Sequence, residues 1–202
     1  MANLPPTKGN LIAVKRSRAL AENGFSLMDK KRNILIREMM SLIDRAKVLQ
    51  ASIDETFSDA YRAIRLANIS MGSSEGVAAA MPVDKSVRVR YRSVMGVELP
   101  TVTAVPTDTE ILPYGLVTTT SALDTAYKKF VKVKELTLEM AELENSIYRL
   151  AYFIKKAQKR ANALHNIVIP GLDADIARIS EDLEEKEREE FVRLKVIKAN
   201  KL

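Results

Sequence analysis

The stretch VKELTLEMAELENSIYRLAYFIKKAQKRANALHNIV, residues 133–168, decides the fold. Steps of three and four residues alternate along it and meet an apolar side chain each time: Val133, Leu136, Met140, Leu143, Ile147, Leu150, Ile154, Ala157, Ala161, Leu164 and Val168. A seven-residue repeat of this kind is typical of a left-handed coiled coil, whose apolar seam packs on a second helix. The repeat resumes later in the chain, at Leu172, Ile176, Ile179, Leu183, Phe191 and Leu194.

The amino-terminal part of the chain has the same period. Most positions of its repeat are apolar, with polar exceptions at Arg18, Arg32 and Thr56: Leu11, Val14, Arg18, Ala21, Phe25, Met28, Arg32, Leu35, Met39, Leu42, Ala46, Leu49, Ile53, Thr56 and Ala60. Thr7 follows two prolines and can cap the helix. The patterns predict helices over residues 7–69 and 121–200, each roughly 90 Å long or more at about 1.5 Å per residue.

Two such seams need partners, and the nearest partner of each is the other. An antiparallel pair follows most simply, although the intervening segment is long enough that reach alone does not exclude a parallel one. Pro170 lacks a backbone N–H and clashes with the preceding turn, so we expect a kink or a one-turn break at Ile169–Pro170.

Residues 70–120 differ in composition, because they hold most of the glycines and prolines. The run VRVRYR, residues 87–92, alternates with period two and predicts a strand with one apolar and one basic face. Met95–Gly96 can turn the chain into a second strand, Val97 to Val105, in which Pro100 favours an edge position. A mobile loop is predicted to include Ser73, Ser74, Gly76 and Ala78 to Ala80.

The predicted fold class is therefore all-α dominated: a long antiparallel two-helix coiled coil with a small central β-hairpin and loop region. It forms one elongated domain. Its parts are an amino-terminal helix over residues 1–69, the hairpin and loop region over 70–120, and a carboxyl-terminal helix over 121–202 that is kinked near Pro170.

The sequence offers little for catalysis. There is no cysteine and a single histidine, His165, and Thr7-Lys8-Gly9 lacks the glycines and the Ser/Thr of a phosphate-binding loop. Asp173 and Asp175 fall on an exposed helix with no pocket implied. We predict no catalytic, cofactor-binding or metal site, and a chain that is not an enzyme.

Charge concentrates at the two ends of this basic chain, whose formal net charge is +6. Residues 1–37 and 191–202 are strongly basic, while residues 171–190 are acidic. Nucleic acid, an anionic membrane, a protein surface or plain solvation can each explain such ends. Arg88, Arg90 and Arg92 on the predicted hairpin could bind phosphate or RNA, resist edge pairing or dock a protein.

Two stretches resemble the D-subunit family of V-type ATPases and archaeal-type ATP synthases. The first comprises Pro6-Thr7-Lys8, Leu11 and GFSLMDKKR at residues 24–32, followed by Leu35. The second comprises RANALHNIVIPGL at residues 160–172 and LEEKEREEFVRLK at residues 183–195. The family has the same Asn-Ala-Leu, Ile-Pro-x-Leu and Glu-Arg-Glu-Glu-Phe elements in this order.

The resemblance implies a central rotor shaft that couples ATP hydrolysis or synthesis to proton or sodium transport. Its implied partners are the A and B subunits of the ring, the F subunit and the membrane-rotor adaptor, which is the C or d subunit. It implies a cytoplasmic protein at the periphery of the membrane, with no nucleic acid and no direct membrane insertion. The alternative is a basic coiled-coil module for nucleic acid or for scaffolding, although Glu38, Asp44 and Asp59 interrupt a basic face.

Three interaction sites are expected, the first two from the resemblance together with the charge and apolar patterns, and the third from the strand pattern. We expect the ring bearing at Arg16, Arg18, Arg193, Lys195 and Lys198. The F subunit is expected at Tyr61 and Ile64, on a second apolar ridge of the first helix that also includes Ile36, Met40, Ile43 and Phe57. The hairpin arginines, Arg88, Arg90 and Arg92, form the third site.

Overall fold

The computed structural model describes residues 5–72, 75–83, 85–105, 112–115 and 119–199. The first helix, α1, spans Lys8–Met71. Thr7 caps it as predicted, since its Oγ1 accepts a hydrogen bond of 3.2 Å from the Asn10 N–H. The helix ends at Gly72, whose φ of 79° is left-handed and whose N–H bonds the Asn68 carbonyl at 2.9 Å.

The carboxyl-terminal half is also helical. Helix α3 spans Ser121–Ala163, a π-helical turn spans Leu164–Val168, and helix α4 spans Ile169–Ala199. Each residue of the two predicted seams between Leu11 and Leu183 is buried or half-buried. Phe191 and Leu194 are the exception. They are 69% and 66% exposed, so the prediction that the seam resumes there is wrong.

The chain divides into two compact units. The terminal unit holds Met1–Ile34 and Ile154–Leu202, and the central unit holds Leu35–Phe153. In the terminal unit α1 packs antiparallel, because partner numbers fall as its own numbers rise. The ion pairs and hydrogen bonds that set this register are Lys8 with Glu187 at 2.9 Å, Arg18 with Asp173 at 3.1 Å and Arg32 with Gln158 at 2.5 Å.

The central unit has the same antiparallel order. Its contacts between α1 and the α3 side are Arg45 with Glu139 at 3.2 Å, Asp59 with Lys129 at 3.5 Å and Ser70 with Thr120 at 3.1 Å. Leu35, Leu150, Val97 and Leu99 are its largest fully buried side chains. The antiparallel arrangement is therefore confirmed within each unit.

The interruption expected at Ile169–Pro170 takes the form of the π-helical turn just before it. The Ile169 N–H donates to the Leu164 carbonyl, five residues back instead of four. Pro170 cannot donate at all, and its ring would collide with the carbonyl four residues earlier in a regular helix. Widening the helix by one residue accommodates the ring while α4 continues beyond it.

The hairpin forms from strands β1, Arg88–Val94, and β2, Val97–Thr103, which pair antiparallel. Met95 and Gly96 make the two-residue turn with φ of 50° and 74°, the positive pair that a type I′ hairpin needs. Val97 and Leu99 are fully buried. The hairpin is thus anchored through β2, whereas β1 is exposed along nearly its whole length.

A second short helix, α2, spans Glu75–Ala80. The sequence predicted a mobile loop through Gly76 and the alanines after it, and the structure corrects this. Val77 and Met81 pack against a buried cluster of Ala67, Tyr114 and Leu123, and this tertiary contact stabilises a helix too short to form alone. Ser73 and Ser74 of the same prediction lie outside the described residues.

Candidate functional site

The basic residues expected at a ring bearing lie on two helices of the terminal unit. Arg16 and Arg18 are on α1, and Arg193, Lys195 and Lys198 are near the end of α4. Arg18 lies opposite Asp173, twenty positions before Arg193, which is about 30 Å along a helix. The structure therefore does not bring the two groups into one cluster.

Part of this charge is neutralised within the chain. Arg18 bonds both Glu22 at 2.7 Å and Asp173 at 3.1 Å, and Arg193 pairs with Glu189 at 3.4 Å. Lys195 and Lys198 have no ion pair with any described residue. These two charges, like that of Arg16, can be used by a partner without breaking an ion pair among the described residues.

An apolar tip at the end of α4 was missed by sequence reasoning. The α1 helix begins at Lys8, opposite Glu187, so the final described residues of α4 have no partner helix among the described residues of the terminal unit. Its exposed apolar side chains are Phe191, Val192, Leu194, Val196 and Ile197. At 100° per residue they surround the helix instead of forming one stripe, and a helix that is apolar all round is normally enclosed. The distribution of apolar residues around the helix is the sequence signal that could have revealed this tip.

The two residues expected to bind the F subunit have different surroundings in the central unit. Tyr61 is 55% exposed, and its ring meets Phe130 edge-on with centroids 5.8 Å apart. Ile64 is half-buried beside the Ala67, Tyr114 and Leu123 cluster. Ile64 also lines an apolar cavity of about 180 Å³ with Val77, Ala78, Met81, Leu123, Ala126, Tyr127 and Phe130. Tyr61 is thus presented outward, while Ile64 mainly supports the fold.

Further exposed apolar residues surround that end of α1. Leu66 is 57% exposed and Ile69 is 82% exposed, and Val83, after α2, is 82% exposed. These three exposed residues, at the end of α1 and just after α2, are called the α1-end surface. Ile69 and Leu66 lie off the predicted ridge, so the periodicity of the ridge did not identify them.

The hairpin arginines do not act alike. Arg92 pairs with Glu38 of α1 at 3.3 Å, and this contact holds β1 to the coiled coil. Arg88 and Arg90 are exposed and have no ion pair with the described part of the chain. Two of the three predicted cations are therefore available at the surface.

Among the residues that the structure describes, Tyr114 and Lys8 have shifted pKa values. Burial, together with a 2.8 Å hydrogen bond to Asp124, raises the pKa of Tyr114 well above that of a free tyrosine. Glu187 raises the pKa of Lys8 through a hydrogen bond and charge attraction. Both shifts belong to structural contacts. Within the described residues no cluster of His, Cys, Asp or Glu could hold a metal ion, and no helix there is long and apolar enough to span a bilayer.

Comparison with known proteins identifies the family. The family model of the ATP synthase D subunit matches residues 10–199. The chain belongs to the ATP synthase D-subunit family. It is 44% identical over 198 residues to the D subunit of a V-type ATP synthase from Thermotoga neapolitana, with 97% of each chain covered. It is 38% identical over 200 residues to the D subunit of an A-type ATP synthase from Pyrococcus furiosus, covering 96% of this chain and 92% of the relative.

The D subunit is the central-stalk subunit of a rotary ATPase, and this chain is therefore a stalk subunit of such a complex. The function inferred from the end motifs is confirmed. For a stalk subunit the functional sites are docking surfaces. Among the described residues, three exposed features are candidates for such surfaces: the apolar tip, the α1-end surface and strand β1.

Proposed function

We propose that this D subunit is the non-catalytic rotor shaft that passes torque between the catalytic ring and the membrane rotor. The observation that supports it best is the paired seam. Apolar side chains interlock along α1 and its antiparallel partner in both units, and cross-helix bonds such as Arg18 with Asp173 and Arg45 with Glu139 pin the register. Each helix then resists sliding and twisting of the other.

The apolar tip is the bearing in this proposal. Phe191, Val192, Leu194, Val196 and Ile197 are distributed around the helix, so a sleeve formed by the A and B subunits of the ring meets exposed apolar side chains on every side. Lys195 and Lys198 add charge that no described residue neutralises. Contacts of this kind are non-directional, as a turning shaft requires.

The other two partners are assigned to the central unit. The F subunit binds on the side of α1 that presents Tyr61, with Ile64 supporting the surface from beneath. The membrane-rotor adaptor, the C or d subunit, binds the α1-end surface, where Ile69 and Val83 are the most exposed apolar side chains. The shaft then works on the cytoplasmic side of the membrane as a peripheral part of the complex.

The bearing assignment is tested by reconstitution with the ring subunits. We expect Phe191→Ser with Leu194→Ser to weaken assembly with the ring, because enclosure of the tip then removes less apolar surface from water. Reversal of Arg193, Lys195 and Lys198 to Glu should also weaken assembly. The loss should be larger at low salt than at high salt, because salt screens the charges. The matched control exchanges the cations, Arg193→Lys, Lys195→Arg and Lys198→Arg, and should assemble normally.

Retention of the F subunit separates a bearing defect from a misfolded shaft, and all these tip variants should keep it. Full ring assembly and ATP-driven rotation with both the serine and the glutamate variants would contradict the bearing assignment.

Placement of the F subunit is tested by Tyr61→Glu, which should lose co-purification with that partner, whereas Tyr61→Phe should keep it. Unchanged co-purification of Tyr61→Glu would reject that placement.

A further inference from the structure

The two outer edges of the hairpin differ in whether their backbone groups are hydrogen-bonded by other elements. The outer edge of β2 is closed by side chains of α3, because the Val102 N–H donates to Glu142 at 2.7 Å and the Glu98 carbonyl accepts from Arg149 at 2.9 Å. Pro100, between them, has no N–H to satisfy. No further strand can add on this side.

The outer edge of β1 has no such closure. In a two-residue hairpin the residues beside the turn, Val94 and Val97, form a hydrogen-bonded pair, and such pairs then alternate with pairs whose N–H and C=O groups point outward. The outward groups of β1 therefore belong to Val89, Tyr91 and Ser93. These backbone groups make no hydrogen bond to any described residue. Three successive sites for a neighbouring strand are thus open.

The side chains along this edge determine which kind of strand can pair with it. Val89 and Tyr91, on one face of the hairpin, are 53% and 59% exposed, and the Arg149 guanidinium group lies 5.2 Å from the centre of the Tyr91 ring. Arg88 and Arg90 are on the other face, where Arg92 alone has an internal carboxylate partner. A strand laid beside β1 would place alternate side chains next to the apolar pair and next to the two free guanidinium groups.

A second copy of this chain is a poor occupant of the edge. Pairing β1 with another β1 would set Arg88 and Arg90 close to the same cations of the other copy, and like charges on neighbouring strands destabilise a sheet. A nucleic acid could meet the arginines. It would leave the backbone groups and the apolar pair of Val89 and Tyr91 unused.

We propose that β1 is a docking edge for an extended protein segment in which acidic and apolar side chains alternate. The segment pairs with the outward backbone groups of Val89, Tyr91 and Ser93. Its acidic side chains meet Arg88 and Arg90, and its apolar ones cover Val89 and Tyr91. Main-chain bonds supply affinity in such strand addition, and the alternate side chains supply specificity.

The test uses the full chain and a short peptide of alternating Glu and Val with blocked ends, followed by NMR. We expect the peptide to bind and to slow hydrogen exchange at the Val89, Tyr91 and Ser93 amides. Tyr91→Pro deletes one outward N–H without breaking a bond of the hairpin, as Pro100 already does on β2. It should weaken binding about tenfold, while the matched control Tyr91→Val, which keeps the N–H, should bind more tightly than the proline variant.

Charge is tested separately with Arg88→Gln combined with Arg90→Gln, which should weaken binding of the peptide and remove most of its salt dependence. A Lys-Val peptide of the same length should not bind the parent chain. The proposal is overturned if the Glu-Val peptide does not bind, or if it binds the proline and valine variants equally. It is also overturned if a short oligouridylate binds the two arginines and the peptide does not.

Discussion

At the scale of single residues, two arginines occupy positions of the apolar seam of α1. Arg18 bonds Asp173 and Arg32 bonds Gln158, each on the facing helix of the terminal unit. Arg32 is also held by Asp29 at 2.8 Å, so its guanidinium group is satisfied at both ends. A polar seam residue that finds one partner fixes the register between helices, because any slip leaves it unpaired.

Tyr114 is the residue whose ionisation should matter for stability. Its hydroxyl donates to Asp124 from a buried position beside Ala67 and Leu123. Since its pKa is raised in the folded state, its stabilising effect is complete below the ordinary tyrosine pKa of about 10 and is lost as the pH rises beyond it. We therefore expect the parent chain to lose stability in this alkaline range.

Tyr114→Phe should separate the contribution of the hydrogen bond to Asp124 from the effect of phenol ionisation. At neutral pH it should cost about 1.5 to 3 kcal/mol, the value of a hydrogen bond to a charged group. Above pH 10 the gap to the parent should narrow, because the variant has no phenol to ionise there. Urea unfolding at a series of pH values measures this, and a gap that stays constant or widens in alkali would contradict it.

At the scale of elements, the turn of the hairpin contains a residue in an unfavourable conformation. Met95 has a φ of 50°, in a region that side chains other than Asn, Asp and Gly seldom adopt. Its side chain is 47% exposed, so little packing depends on it. Gly96, with φ of 74°, already suits the second turn position.

Met95→Asn should therefore stabilise the hairpin by about 0.5 to 1 kcal/mol, because Asn-Gly is the preferred pair for this turn. The matched control Met95→Ala removes the same side chain without favouring positive φ, and it should give no gain. Exchange rates of the hairpin amides report the difference. If the hairpin amides of the asparagine and alanine variants exchange equally slowly, the conformation of the turn does not limit the stability of the hairpin.

At the scale of the whole molecule, helices α1 and α3 contribute residues to both compact units. Leu150 is fully buried in the central unit, and Ile179 is fully buried in the terminal unit. Because the units share continuous helices, loss of packing in one should fray helical turns that the other needs. We expect the chain to unfold in one cooperative transition.

Leu150→Ala and Ile179→Ala should each cost about 2 to 5 kcal/mol through the lost side chain and the cavity left behind. Both should lower the same thermal transition followed by circular dichroism, and their effects should add in the double variant. The matched surface control is Tyr148→Ala, at a residue 75% exposed, which should change the transition little. Two separate transitions, each sensitive to one variant, would contradict the cooperative picture.

The sequence by itself determined the helices, their seams and the hairpin. These features depend on local order. The seven-residue repeat fixes which side of a helix is apolar, Thr7 and the residues around Met95–Gly96 mark where elements begin and turn, and period two marks β1. The end motifs were sufficient to identify the family. Each of these signals is contained within a few turns or strands of the chain.

Only the tertiary structure decided what lies opposite what. It set the antiparallel register, and because α1 begins at Lys8 opposite Glu187, it left Phe191 and Leu194 exposed although their spacing continues the repeat. It closed the β2 edge with Glu142 and left the β1 edge open. A periodic pattern states that a face is apolar but not whether another element reaches it. The candidate docking surfaces are the places where none of the described residues does.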